Sequence, residues 1–159
     1  MKEEFVKIRI QSCSLDELNE TDRELVERAQ QMTQTSYSPY SHFQVGAALR
    51  VADGRVFGGS NQENAAFPDG LCAERTAFFF AQANAPEQAP VAIAIAAQTE
   101  GAFTLEPVTP CGSCRQALLE AETRYGQPIR IILYGQKRVI VVNRVADLLP
   151  LNFDGSALS

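Results

Sequence analysis

No stretch of this chain of 159 residues approaches the roughly 20 consecutive apolar positions that a membrane-spanning helix requires. The N-terminus, Met1-Lys2-Glu3-Glu4, also lacks the apolar segment of a signal peptide, so no membrane partner and a cytoplasmic location are expected. Lysine and arginine form no run, and they total 14 against 19 acidic residues, for a formal charge of −5. A polynucleotide would meet net repulsion where its binders normally release counterions. Nucleic-acid polymers are therefore excluded as expected partners, and small neutral or cationic molecules fit better. Cysteine is scarce, at four residues, and without a secretory signal a chain of this length has little need of disulfides. The reduced state is expected. Internal repeats, linkers and low-complexity tracts are lacking too, and a 45% hydrophobic composition suits one domain over residues 1–159, with residues 1–15 as an N-terminal extension.

The pattern of elements is mixed. Phe5, Val6, Ile8 and Ile10 give an imperfect period of two and predict a short strand over residues 5–10. Thr21 and Glu24 have capping-box spacing ahead of Leu25, Val26, Ala29 and Met32, which recur at helical intervals; that helix should end before Ser38-Pro39. Residues 43–51 and 55–58 are apolar runs bridged by Ala52-Asp53-Gly54, a hairpin signal. After a polar loop, residues 71–85 predict a helix that starts close to Cys72. The alanine-rich and β-branched run at 91–97 suits a strand covered on both faces. Pro110 precedes a second cysteine-bearing helix to about Arg124, strands follow at 129–133 and 139–142, and a short helix at 145–149 stops at Pro150. This order implies an α/β fold, a mixed sheet with helices on its faces.

The chemistry is concentrated in Cys72-Ala73-Glu74 and Pro110-Cys111-Gly112-Ser113-Cys114. Cysteines at helix beginnings meet unpaired N–H groups and the positive end of the helix dipole, which favour the thiolate. Cys111 and Cys114 are about one turn apart, so both sulfurs can face one metal while Cys72 arrives from another helix. Three protein ligands leave a tetrahedral zinc ion with one open position, the mark of a catalytic rather than a structural site. Glu74 lies two residues beyond Cys72, near the metal without binding it, and suits a proton carrier. Three thiolates outweigh the charge of zinc, so Arg75 and Arg115, each next to a motif residue, are expected to donate to the sulfurs.

Two other readings use the same cysteines. Cys-Gly-Ser-Cys has the form of a redox dithiol at a helix start, but a redox pair needs neither Cys72 nor Glu74. A closed structural zinc site needs a fourth ligand. The single histidine, His42, sits beside Phe43 in a polar segment that reads as a solvated loop, and Cys13 is distant in sequence and reads as a small, partly buried hydrophobe.

Cys-x-Glu followed by Pro-Cys-x-x-Cys is the three-cysteine signature of zinc deaminases. Further segments sharpen the resemblance to the cytidine deaminase family. Residues 37–48, Tyr-Ser-Pro-Tyr-Ser-His-Phe-Gln-Val-Gly-Ala-Ala, are similar to that family's first strand and its approach. Asn61-Gln62-Glu63-Asn64-Ala65 resembles its ribose-binding loop, residues 72–77 and 110–116 its zinc helices, and Leu148-Leu149-Pro150 with Phe153 its C-terminal end. The similarity covers about residues 20 to 155. It implies a three-layer α/β/α fold with a mixed central sheet, a homotetramer, and one zinc ion per subunit on Cys72, Cys111 and Cys114, with Glu74 as proton shuttle. It also implies that Asn61 and Glu63 bind the ribose, chiefly its 3′-hydroxyl, that Phe43 packs on the pyrimidine, that the Ala73 N–H meets the base carbonyl, and that Phe153 reaches a neighbouring subunit's site. The implied reaction is hydrolytic deamination of cytidine, and of deoxycytidine, to the uracil nucleoside and ammonia, a step of pyrimidine salvage. Phe67 stands where the family often has tyrosine, which leaves an aromatic contact without a hydroxyl. A deaminase of a cytosine-nucleoside antibiotic and a non-catalytic zinc protein are the alternatives. The Asn61/Glu63 pair argues against the first and Glu74 against the second.

Overall fold

The strand β2 (Phe43–Val51) feeds both faces of the molecule, and its sequence gives the reason. Ala47, Leu49 and Val51 enter one apolar cluster while Ala48, between them, enters another, because successive side chains of a strand point to opposite faces. The structure is a computed structural model that describes residues 1–158. Around β2 lie β1 (Ile10–Cys13), α1 (Glu20–Met32), β3 (Val56–Ser60), α2 (Ala73–Asn84), β4 (Pro90–Thr99), β5 (Ala102–Phe103), α3 (Gly112–Tyr125), β6 (Arg130–Tyr134) and β7 (Val139–Val142). The sheet has seven strands in the order β1-β7-β6-β4-β2-β3, with β5 paired to β4 off that path. β4 and β6 run parallel and the other pairs antiparallel, so the sheet is mixed.

Leu25, Val26 and Ala29 of α1 pack on one sheet face, against Ala92, Ala94 and Ala96 of β4 and Ile132 of β6. Ala73, Ala77 and Ala81 of α2 and Leu118 of α3 pack on the other, against Ile93, Ile95, Ile131 and Leu133. The result is the three-layer α/β/α arrangement. Residue 159, within the single domain expected from the sequence, lies outside the described residues. Among the described residues, no helix is long and apolar enough to cross a membrane.

Several local expectations need correction. The first strand begins at Ile10, where the residues expected to form it end, and Phe5 is 84% exposed. Its partner β7 finishes at Val142, opposite Ile10, so residues 5–9 have no strand to pair with. The first helix is capped by Asn19 and not by Thr21: the Asp22 N–H donates to Asn19 Oδ1 at 2.8 Å, and Thr21 turns its hydroxyl to the same oxygen. The segment at 145–149 is a single 3₁₀ turn, Val145–Leu148. The two-residue β5 carries no propensity signal. It exists because Glu100 and Gly101, with φ of 51° and 79°, fold the chain back through a left-handed turn.

Asp22 is 1% exposed and joins three elements: Arg50 of β2 at 3.2 Å, Arg130 of β6 at 2.9 Å, and Asn19 at 3.0 Å. Removing the carboxylate strands two guanidinium groups that only partly reach water. Asp22→Ala should therefore lower unfolding stability by about 2–3 kcal/mol, less than a fully buried pair would lose. Chemical denaturation of the variant measures it, and a loss under about 0.5 kcal/mol would mean that both arginines simply rehydrate.

Candidate active site

Both zinc-motif helices begin at a cysteine. Cys72 is the N-cap of α2 and Cys111 the N-cap of α3, and neither side chain accepts a helical hydrogen bond, so the first N–H groups stay free to face an anion. The start of α2 is seated by Gly59 on β3. A Cβ there would lie 2.3 Å from the Ala77 nitrogen and 2.8 Å from the Ala73 carbonyl oxygen, so only glycine lets the strand approach the helix this closely. The sulfurs of Cys72 and Cys111 are 3.8 Å apart, and those of Cys111 and Cys114 are 3.5 Å apart. Zn–S bonds of about 2.3 Å at tetrahedral angles require sulfurs about 3.8 Å apart. All three ligand atoms lie within 4.8 Å of one another, so the donor set fits zinc. The Cys72 thiol is pulled down to about 5 by hydrogen bonding with Cys114 and by Arg75, while Cys114 is pushed up because it keeps the proton and is buried. A divalent cation displaces that proton and takes all three sulfurs as thiolates.

Glu74 occupies the second position of α2 and is 5% exposed. Burial, then the charge of Cys72, pushes its carboxyl above the ordinary glutamate range. Ala73 is fully buried at the first helical position, whose N–H has no carbonyl in its own helix. Arg75 donates to the Cys72 sulfur at 3.8 Å. Arg115, expected at the sulfurs, is elsewhere. Its guanidinium donates to the carbonyl oxygens of Pro110 at 2.8 Å and Leu148 at 2.9 Å, and to Thr109 Oγ1 at 3.4 Å. It ties the C-terminal segment to the zinc helix.

A cavity of about 590 Å³ opens beside Cys72, with Tyr40, Ser41, Asn61, Glu63, Phe67 and Arg75 in its wall. The loop carrying Asn61 and Glu63 is clamped from both sides: the Glu63 N–H donates to the Tyr37 carbonyl, and Gln62 exchanges N–H···O bonds with Leu71. Tyr40 and Phe67 meet edge to face, 5.8 Å between centroids, at the cavity's mouth. Asn61 Nδ2 donates to the Phe43 carbonyl at 2.9 Å, and Asn61 Oδ1 accepts from Val45 N–H at 2.8 Å and Ser36 Oγ at 2.5 Å. Glu63 accepts from the N–H groups of Tyr40 and Ser41 and from the Ser41 hydroxyl, and the last of these holds its carboxyl below the usual glutamate range. Glu63 is only half-buried.

Phe43 and Phe153 do not line this cavity. Phe43 opens β2 and is partly buried, whereas Phe153 is 61% exposed, with its carbonyl held by Gln116 Nε2 at 3.0 Å. His42 is an exposed loop residue with φ of 55°, and Cys13 is half-buried on β1, so neither joins the sulfur cluster. Sequence reasoning missed Ser36, Ser41, Gln116 and Glu122. Glu122 receives the N–H groups of Ile129, Val145 and Ala146 and so fixes where the C-terminal segment leaves the sheet. No local pattern marks these residues, because their partners are far away in the chain.

Sulfurs at metal-coordination spacing, set at the ends of two helices on one face of a mixed sheet and beside a buried carboxylate, are the layout of the zinc deaminase class. The profile described as cytidine and deoxycytidylate deaminase zinc-binding region matches residues 19–125, and the chain belongs to this family. It is 41% identical over 135 residues to a cytidine deaminase of Sporosarcina psychrophila, covering 85% of this chain and 93% of that one. Among solved structures it is similar to a cytidine deaminase from Burkholderia pseudomallei, with TM-score 0.69, 41% identity, and 82% and 97% of the two chains covered. It is also similar to one from Mycobacterium tuberculosis, with TM-score 0.65, 34% identity, and 82% and 95% covered.

Proposed function

We propose that this chain hydrolyses the amino group from cytidine and deoxycytidine, giving uridine or deoxyuridine and ammonia in pyrimidine salvage. The observation that carries this reading is the buried Glu74 carboxyl two residues from Cys72, beside three sulfurs that a structural metal would need a fourth ligand to complete. A zinc ion held by Cys72, Cys111 and Cys114 supplies Lewis acidity that makes water a nucleophile near neutral pH. Glu74 removes a proton from the attacking water, delivers it to N3 of the cytosine ring, and then assists proton transfer to the departing amine. Its raised affinity for protons suits it to hold one between these steps. Ala73 offers its N–H to the base carbonyl, and Phe43, outside the cavity wall but bonded through its carbonyl to Asn61 in that wall, turns its ring against the pyrimidine when substrate binds. Arg75 offsets the excess negative charge of the thiolates. Arg115 acts at a distance, by holding the segment that leads to Phe153.

The valences of the ribose loop support a nucleoside. Both Oδ1 lone pairs of Asn61 are used, and one N–H of its amide remains. Glu63 Oε2 accepts two N–H groups, and Oε1 accepts one hydroxyl and has one site left. One free donor and one free acceptor in the same cavity wall match a single sugar hydroxyl, which both accepts and donates. The protein is a cytoplasmic homotetramer in this reading. Exposed Phe79, Phe80, Leu151 and Phe153 supply apolar surface for subunit contacts, and Phe153 reaches a neighbour's site.

The direct test is uridine and ammonia release from cytidine by zinc-loaded protein. No release would end the proposal. Cytidine 5′-monophosphate should react with kcat/KM at least about tenfold lower, because its phosphate approaches the anionic Glu63 at the sugar end of the site. Equal turnover of nucleoside and nucleotide would remove Glu63 from that position.

A further inference from the structure

Ser41 is an exposed residue in the wall of the nucleoside cavity whose hydroxyl has both of its directions assigned. The Phe43 N–H donates to Ser41 Oγ at 3.1 Å, so the oxygen's acceptor side faces β2 and its proton is directed to Glu63 Oε1. The Ser41 N–H also donates to Glu63, at 3.3 Å to Oε2, next to the Tyr40 N–H at 2.9 Å. The carboxylate is thereby gripped on both oxygens from one side, which stops rotation about its last bond. The single open lone pair lies on Oε1, the oxygen that Ser41 holds. Among the described residues, nothing else grips Oε1. Without the hydroxyl, Oε1 has two open sites and the carboxylate is free to turn about its last bond.

We infer that Ser41 is a positioning residue that makes the site selective for a nucleoside bearing a sugar hydroxyl at the Asn61/Glu63 pair, by fixing the one open acceptor of Glu63 in the cavity wall that also carries Asn61. The same hydroxyl links two parts of the site that the sequence keeps apart. Through Phe43 N–H it holds the start of the strand proposed to bear on the base, and through Glu63 it holds the loop proposed to bear on the ribose. Ser36 does for Asn61 what Ser41 does for Glu63. By donating to Oδ1 it fills the second acceptor site and fixes the amide, whose nitrogen spends one N–H on the Phe43 carbonyl and keeps the other for a ligand. The inference rests on the proposed ribose role of Glu63, and its test separates the two.

The experiment compares kcat/KM for cytidine with kcat/KM for 3′-deoxycytidine, in the parent and in Ser41→Ala, Ser41→Thr and Glu63→Gln, each at matched zinc content. Hydrogen bonds to a charged group make the parent favour cytidine by roughly 10- to 100-fold. Ser41→Ala should reduce that preference to within about threefold, with the loss appearing in KM for cytidine, and Ser41→Thr, which keeps the hydroxyl, should restore it. A purely structural role for Ser41 would lower both substrates together and leave their ratio alone. If Glu63→Gln abolishes the preference while Ser41→Ala retains the parent's ratio, the positioning role of Ser41 is overturned and the ribose role of Glu63 stands. If Glu63→Gln itself keeps the parent's ratio, the ribose assignment fails and the inference fails with it.

Discussion

Glu74→Ala should bind zinc and fold as the parent does while losing about 10⁴-fold in kcat on cytidine. A positioned general acid–base group contributes typically about 10²–10⁴, and the upper end applies because one carboxyl serves the attacking water, ring N3 and the leaving amine in turn. Fold retention follows from the same burial that raises its proton affinity. A carboxyl that is 5% exposed beside a thiolate is desolvated at a cost to the folded state, so removing it relieves strain as well as deleting a contact. Against that relief stands the loss of a favourable charge in the first turn of α2, worth about 0.3–1 kcal/mol. The two effects oppose each other, and the thermal midpoint should move little. Glu74→Gln sharpens the test. It keeps the volume and the capacity to form hydrogen bonds but cannot relay a proton, and it should be as inactive as the alanine variant. Steady-state rates at matched zinc stoichiometry decide the matter, and a glutamine variant within tenfold of the parent would take Glu74 out of the proton path.

The difference between Arg75 and Arg115 illustrates what the sequence made legible. Each stands next to a motif residue, and adjacency alone suggested that both reach the sulfurs. Residues three or four apart on a helix share a face, and both arginines qualify, Arg75 three beyond Cys72 and Arg115 four beyond Cys111. Arg75 finds its sulfur, whereas Arg115 is taken by the carbonyls of Pro110 and Leu148, the second from a segment distant in the chain. The cysteine pattern was readable because its geometry is set within one helical turn and two helix starts. The hairpin at Asp53-Gly54 was readable for a similar reason: Gly54 supplies a φ of 92° and Asp53 accepts from Arg55 N–H at 3.0 Å, all within a few residues. The end of the first strand is different. It is decided by where β7 stops, more than a hundred positions away, and alternation near Phe5 carries no record of that. Ser41 escaped notice because its partner is 22 residues distant and a serine in a polar loop has no periodic signature.

Cys114→Ala should cost the protein its zinc, all measurable deamination and much of its stability. The sulfur is fully buried, one helical turn inside α3, and only 3.5 Å from Cys111. Without it, Cys72 and Cys111 remain as a two-sulfur site, with one ligand half-buried and the other exposed to competing water. Zinc in the parent joins the beginnings of α2 and α3, which the chain otherwise connects only through β4, β5 and the loop before Pro110. Metal that binds only the folded state adds about 4 kcal/mol when its free concentration is a thousand times the dissociation constant. The alanine also leaves a small void that costs about 1 kcal/mol or more. Denaturant titrations with and without a chelator separate these contributions. The parent should lose stability when the chelator is added, while the variant, already metal-free, should not respond. Zinc measured at one equivalent per chain in the purified variant would show that Cys114 is not a ligand and would return the site to the Cys72 and Cys111 pair.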